Sequence, residues 1–565
     1  MKALTGKRAG EEPSPSWWVP LLLALPALIP LAQSLIVARL RGEVATGFIT
    51  YDMPYYMANA REHFDQGFQL LYGNPYASYD TPAIYFQPQI FLLGCLERLG
   101  LDPGLALNLF GIAALFFAAF VAVRLYREVV GWSSPAAKLG LLCFFWGGGI
   151  LSLAGLVYAG ATRKFNAAVV LYFDLGQGWW SLNFGRNLAQ PTEAYYHAVF
   201  LLAMLFLIRR RFAGAIALAA LLSASHPFTG LTAVLIVAAY LIVERLHGDG
   251  TVKPAHIAGS VALVALHLGY YVFFLNRFAD HRALVSQWEK QWLYQAPAFV
   301  LALALVGLLA LVRLSRWPGL RRAVQDPRHR LFLLWFLIVF GLTQHFRLVK
   351  PVQPVHFAHG YDWMALFFLG SPLLLALLDR LLKIEPSRLR YLAVSAFLVF
   401  FLFDNLVWFA TFLSPNSSRA MNLRRNQKEV LDWLDRHAVP RDMVVSADQG
   451  VSFFVPTYTR VRSWYGHAPN TPHFQQRLLE AQQAFEHGAI LPAWKEMRVF
   501  YVAYRDAGWK PPAGASEVFH NAQFEVWECP KRVESQKSNV KTDCPLLSTF
   551  NFRLSTLGRR TEWKF

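Results

Sequence analysis

Apolar and polar stretches alternate along this chain on a scale longer than a soluble helix or strand needs. Apolar runs cover residues 17–38, 105–125, 139–159, 194–208, 212–223, 228–243, 257–275, 298–314, 331–342, 363–378 and 391–413. That is about eleven candidate spans, several of them shorter than the ~20 residues that a hydrocarbon core asks for. The short runs need tilt or extension through flanking aromatics. The first run is longer than the apolar part of a signal peptide and carries Pro20, Pro26 and Pro30 as kink points, so it reads as an uncleaved first span.

The polar segments between the runs are of two kinds. Short basic ones hold Arg124, Arg127 and Lys138; Arg209, Arg210 and Arg211; Arg245 and Lys253; Arg316, Arg321, Arg322, Arg328 and Arg330; and Arg380, Lys383, Arg388 and Arg390. Together with Lys2, Lys7 and Arg8 they alternate as an inner face should under the positive-inside rule. The other kind is long, polar and aromatic: residues 40–104, 160–193, 276–297 and 343–362. These are expected to be exofacial, and an odd number of spans puts the C-terminus on their side.

After residue 413 the pattern changes. "NQKEVLDWLDRHA" has helical spacing of Val430, Leu431 and Leu434, whereas "DMVVSAD", "RVFYVAYRD" and "QFEVWEC" read as strands. The expected organisation is a transmembrane domain over 1–413, with its first exofacial loop at 40–104. A small exofacial α/β domain with a polar tail follows over 414–565.

Composition agrees. With 55% hydrophobic and 16% charged residues, the chain is too apolar for a soluble enzyme of 565 residues. The net charge of +18 lies in inter-span clusters and not in a groove pattern, which excludes a nucleic-acid partner. Of four cysteines, Cys95 and Cys143 sit in or near apolar segments. Cys529 and Cys544 are both exofacial in this topology, where a disulfide and two free thiols stand as equal alternatives. There is no Gly-rich phosphate loop and no repeat of fixed period.

The candidate chemistry lies in the outer loops. In "FITYDMPYYMANARE", Asp52 precedes Pro54 and a run of helical spacing, so spacing alone makes it a helix cap. Its place at membrane-surface height, with the amphipathic "TPAIYFQPQIFLLGCLERLG" following, suggests two interfacial helices bracketing a polar site. "GWWSLNFGRNLAQPTEAYYH" offers Arg186, Glu193 and His197 as phosphate partners, and "TQHFRLVKPVQPVHFAHGYDW" offers His345, Arg347, Lys350, His356, His359 and Asp362. Arg347 and Lys350 are read either as snorkelling interface residues or as phosphate contacts. His356, His359 and Asp362 at i, i+3, i+6 would allow a divalent metal on a helix, but the spacing is not a specific metal signature. His226 in "SASHPFTGL" caps a turn or lines a cavity between two broken spans; Asp404 and Asn405, inside the last run, are expected to face protein. Asp448, Tyr465, His467, Asn470 and Thr471 either contact a glycan acceptor or dock the C-terminal domain on the membrane body.

An early Asp in an "x-D-x-x-Y-Y" context, two juxtamembrane helices, a multi-spanning body and a C-terminal exofacial domain together resemble the GT-C superfamily of glycosyltransferases. That superfamily includes protein mannosyltransferases, aminoarabinose transferases and oligosaccharyltransferases. The resemblance implies a sugar donor on a polyprenyl phosphate, with Asp52 as general base and Asp80 as second acid in place of the residue after Asp52, which here is Met53. It implies substrate contacts from Tyr55, Tyr56, Arg186, His197, Arg347, Lys350, His356 and His359, and an exofacial glycan, lipid or protein acceptor. No cofactor is called for, although some members use a divalent metal. The expected location is a multi-pass inner membrane. A secondary transporter and a non-catalytic GT-C-like scaffold are the rival readings.

Overall fold

The computed structural model of the chain describes residues 16–65, 67–77, 79–175, 184–247, 250–288, 293, 296–415 and 420–531. Among these residues, seven helices are long and apolar enough to cross a membrane: Trp18–Arg41, Pro103–Val130, Pro191–Ile208, Pro227–His247, Pro254–Arg277, Pro297–Leu314 and Tyr361–Leu382. Two further runs are bent pairs, Pro135–Trp146 with Leu151–Thr162 at 63° and Ser387–Phe401 with Phe403–Thr411 at 66°. The remaining two are the shorter helices Phe212–Ser225 and Pro327–Thr343. Every apolar run of the sequence is therefore helical, and the chain is a multi-pass membrane protein. By length and composition, seven helices, or nine spans if each bent pair is one, qualify among the described residues, and the other two runs are shorter helices.

The two bends meet at one buried knot. Asp404 accepts from the backbone N–H of Gly149 at 2.8 Å, of Leu151 at 3.3 Å and of Ser152 at 2.8 Å, and so caps the helix that restarts after the first bend. Asn405 donates to the carbonyl of Trp146, which the same bend leaves without a helical partner. Arg186 closes the knot. It makes two 2.7 Å hydrogen bonds to Asp174, one to Asn405 Oδ1 at 2.8 Å and one to the carbonyl of Asp404 at 2.6 Å. A Cβ at Gly149 would lie 2.2 Å from the carbonyl oxygen of Leu301, so only glycine lets the bend pack this tightly.

The C-terminal domain is a five-stranded sheet in the order β2-β1-β3-β5-β4, with β1 Met443–Ser446, β2 Arg462–Ser463, β3 Val499–Tyr504, β4 Ser516–His520 and β5 Phe524–Cys529. β1 runs parallel to both β2 and β3; β5 is antiparallel to β3 and β4. Interior strands β1 and β3 are buried almost throughout and edge β4 is largely exposed, as expected for a sheet covered on both faces at its centre. Side chains alternate between the faces: Val444 packs with the helices Arg425–His437 and Gln449–Tyr458, and Met443 and Val445 pack beneath Phe474–His487.

The domain does not have a core of its own on the first of these faces. Val430, Leu431, Phe453, Phe454 and Val502 share one buried cluster with Phe48, Met53, Met57, Tyr76, Ile90 and Leu93 of the first loop. Backbone pairing reinforces the joint, with Val44 N–H donating to Leu423 at 2.7 Å and Met421 N–H to Phe48 at 2.9 Å. The loop 40–104 and the sheet domain thus lie at the same end of the bundle.

Candidate active site

Both expected interfacial helices form, as Met53–Glu62 and Pro88–Arg98. Asp52 stands at the start of the first, but its side chain makes no cap hydrogen bond. The capping role that spacing suggested is therefore overturned: Pro54 sits in the first turn, where a missing N–H does no harm, and the carboxylate turns away from the helix. Its Oδ1 lies 2.9 Å from His467 Nε2, more than four hundred residues later in the chain. His467 is fully buried, whereas the Asp52 side chain is 52% exposed, so the carboxylate is held on one side and open on the other. Burial pushes the Asp52 carboxyl up. The hydrogen bond from His467, with the electrostatics of the His467 and His356 rings, outweighs this and holds it below the ordinary carboxylate value.

The His467 ring lies among Tyr51, Tyr55 and Phe453, at centroid distances of 4.5, 4.9 and 5.5 Å. Burial and the neighbouring Asp52 push the Tyr55 hydroxyl up to about 12, so Tyr55 is a hydrogen-bonding phenol at neutral pH. Tyr56 lies on the bundle side, against Thr192 and Glu193.

Beneath Asp52 residues of other segments converge. Glu193, at the head of the Pro191–Ile208 helix, is 3.0 Å from His359 Nδ1, and His359 Nε2 is 3.2 Å from His356 Nδ1. His356 stacks on Phe228 at 5.1 Å. His226 stacks on Tyr196 at 4.5 Å and accepts from the Thr229 N–H, which leaves its proton on Nε2. His226 thus both caps a turn and faces the cluster, with its ring 6.3 Å from that of His359. His197 is buried behind them, one ring nitrogen on the carbonyl of Glu193 and the other on that of His359 at 2.7 Å. Burial pushes both His356 and His359 down to about 3, so at neutral pH they are uncharged donor–acceptor groups.

Several sequence candidates lie elsewhere. Arg186 is buried in the knot between the bent helices, its guanidinium committed to Asp174, Asn405 and the Asp404 carbonyl, which corrects its expected role as a phosphate partner. Asp80 is exposed, and none of the hydrogen bonds or ion pairs around Asp52 among the described residues includes it; the second carboxylate near Asp52 is Glu193. Arg347 and Lys350 are exposed on the 343–362 segment, flanking Leu348, itself 89% exposed. Asp362 is buried with one oxygen on the Trp363 N–H. His356 lies in a 3₁₀ turn and His359 has a φ of 37°, so the helical i, i+3, i+6 array does not form. Among the described residues, no group of three or more His, Cys, Asp or Glu is arranged to hold a metal ion. Cys544 lies outside the described residues, so its pairing with Cys529 does too.

In the C-terminal domain, Asp448 caps the Gln449–Tyr458 helix through the Val451 N–H, and Tyr465 donates to the Ser446 carbonyl. Both are structural there. His467, Asn470 and Thr471 do dock the domain, and the surface they dock on contains Asp52. Sequence reasoning missed the pairing because nothing local marks it: "GHAPN" lies in an irregular loop, and its partner is set only by the domain's packing.

No family model matches the chain, and no curated protein matches it. Among solved structures, it is similar to ArnT from Cupriavidus metallidurans in the apo state, at 12% identity over 90% of this chain and 97% of that one, with a TM-score of 0.47. It is likewise similar to the same protein bound to undecaprenyl phosphate, at 13% identity over 90% and 98% of the two chains, with a TM-score of 0.43. A third likeness is to the archaeal oligosaccharyltransferase AglB from Archaeoglobus fulgidus in complex with an inhibitory peptide and a dolichol-phosphate, at 11% identity over 86% and 70% and a TM-score of 0.46.

Proposed function

We propose that the chain is a membrane glycosyltransferase of GT-C type, moving a sugar from a polyprenyl-phosphate donor to an exofacial acceptor with Asp52 as general base. The observation that carries this reading is the state of Asp52: uncapped, held ionised, tethered on one oxygen and open on the other.

A lipid-linked sugar has its tail in the bilayer and its anomeric carbon at the surface, which is the height of the loop 40–104. Asp52 takes the proton of the acceptor hydroxyl as that oxygen bonds to the anomeric carbon. The bond from that carbon to the phosphate breaks, and the lipid phosphate leaves with the electron pair. A single displacement of this kind inverts the anomeric centre. The neutral imidazoles of His356 and His359 lie on the bundle side of Asp52, where they can donate to the leaving phosphate, and Tyr55 and Tyr56 flank the sugar. Arg347 and Lys350, exposed beside Leu348, meet the lipid phosphate as it enters from the leaflet. His197 acts behind His359, through its carbonyl.

The transporter reading gains from the two broken spans, since broken helices line many transport sites. Their freed backbone groups, however, are taken up by Asp404, Asn405 and Arg186, which leaves a closed joint in place of a substrate site. The test is incubation of the purified protein in lipid nanodiscs with a radiolabelled undecaprenyl-phosphate sugar. Release of undecaprenyl phosphate, lost in Asp52→Asn, supports the transferase; uptake into sealed vesicles without release supports the transporter.

A further inference from the structure

We propose that His467 of the C-terminal domain is a positioning residue for Asp52: its Nε2–H fixes one carboxylate oxygen, so that the domain forms part of the reaction centre. This rests on Asp52 acting as the base, but the pairing itself is readable without any transfer reaction.

The proton's place on His467 follows from its other side. His467 Nδ1 lies 3.0 Å from Asn470 Nδ2. An amide nitrogen only donates, so Nδ1 is bare and the ring carries its proton on Nε2, facing Asp52. The loop that carries the ring is fixed from two directions. From the first loop, Tyr51 Oη accepts from the Ala468 N–H at 3.0 Å, and Asn74 Nδ2 donates to the Asn470 carbonyl at 2.8 Å. From the outer helix Ala279–Trp288, Trp288 Nε1 donates to the Pro469 carbonyl at 2.7 Å and Gln287 Nε2 to that of Thr471 at 3.1 Å. Two separate membrane-side segments thus hold a five-residue stretch whose one side chain aimed at an acid is His467.

The pair is asymmetric: a wholly buried histidine meets a carboxylate that stays half open. The groups facing Asp52 are Tyr51, Tyr55, Tyr56, Glu193, His356 and His467. Of these, His467 is hydrogen-bonded to its side chain at 2.9 Å. When Asp52 takes the acceptor's proton, His467 keeps its own; its work is to set the carboxylate's rotamer and keep it ionised before the reaction.

The full-length protein in nanodiscs, with ¹³C-carboxyl-labelled aspartate, allows the Asp52 carboxyl to be titrated by infrared spectroscopy, its band assigned by subtraction of Asp52→Asn. His467→Phe removes the donor and is expected to raise the proton affinity of Asp52 by about tenfold or more, one pH unit in the midpoint. His467→Gln keeps an N–H donor and should fall closer to wild type. In ¹⁵N-histidine spectra of wild type, His467 should show its proton on Nε2 and a bare Nδ1. If His467→Phe is folded and Asp52 titrates as in wild type, the proposal is overturned. Should His467→Phe not fold, a wild-type His467 whose spectrum shows its proton on Nδ1 and a bare Nε2 overturns it equally. An Asp52 that transfers sugar normally as asparagine would end the base reading while leaving these titrations to decide the pairing separately.

Discussion

Two buried polar clusters sit within the same helical body, and they are built on opposite terms. In the knot around Arg186 the donors and acceptors match: Asp174 takes two guanidinium bonds, Asp404 takes three backbone N–H groups, and Asn405 bridges guanidinium and carbonyl. Around Asp52 they do not. Glu193 Oε2 and His359 Nδ1 approach to 3.0 Å without an aligned hydrogen bond, His356 and His359 are held neutral, and the Asp52 carboxylate is half open. A buried charge whose hydrogen bonds are complete fixes geometry; one whose surroundings are left incomplete is poised to take a ligand. That difference separates Arg186, which the sequence offered as a ligand contact, from Asp52.

The largest expected effect falls on the knot. Arg186→Ala would leave Asp174 facing apolar surroundings without its partner, and should cost ~3–5 kcal/mol in stability. Thermal unfolding in detergent would read this as a large loss of melting temperature or as failure to accumulate. An Arg186→Ala protein as stable as wild type would break the comparison by removing the structural role from the knot.

A smaller effect is expected where the domain meets the first loop. A Cβ at Gly466 would lie 2.3 Å from Cε1 of Tyr76, a fully buried ring. Gly466→Ala should therefore cost ~1–3 kcal/mol through overpacking and displace the neighbouring His467. Limited proteolysis would register this as earlier release of the C-terminal domain, with the spans left intact.

The smallest effect concerns pH. His356 and His359 are pushed down to about 3 from an ordinary value of 6.5, so between those values the unfolded chain binds more protons than the folded one. Their contribution to stability is full above pH 6.5 and is lost as pH falls toward 3. Asp65 and Glu97, pushed up by burial to about 6 and about 7, act in the other direction, lowering stability as pH rises. The contribution of the histidines is therefore read as a difference: the drop in melting temperature from pH 7.5 to pH 5 should be smaller in His359→Gln than in wild type. Equal drops would mean that His359 is not held neutral.

Much of the architecture was legible because it rests on periodicity. Each apolar run became a helix, and Met443–Ser446, Val499–Tyr504 and Phe524–Cys529 fall within the three segments read as strands. The bends were not legible, since "FFWGGGILSLAG" is apolar on both sides of its glycines and the partner that sets the break, Asp404, is more than two hundred residues away. Nor were the two-residue strand Arg462–Ser463 and the exposed edge Ser516–His520, which lack a buried alternation of their own. In the site, Asp52, His356 and His359 could be named from residue type and loop position. Glu193 was named only among possible phosphate partners, not as a carboxylate near Asp52, and the pairing of Asp52 with His467 was invisible, because it depends on a domain that shares its core with the first loop.

The central claim is that Asp52 takes a proton and does not cap a helix. Asparagine is as good a cap as aspartate, and it cannot serve as a base at neutral pH. The direct measurement is turnover of a radiolabelled undecaprenyl-phosphate sugar by purified wild type and Asp52→Asn, matched for melting temperature. The account predicts an Asp52→Asn protein that folds normally and releases undecaprenyl phosphate roughly 100-fold more slowly or worse. Release at the wild-type rate by a folded Asp52→Asn protein would contradict it.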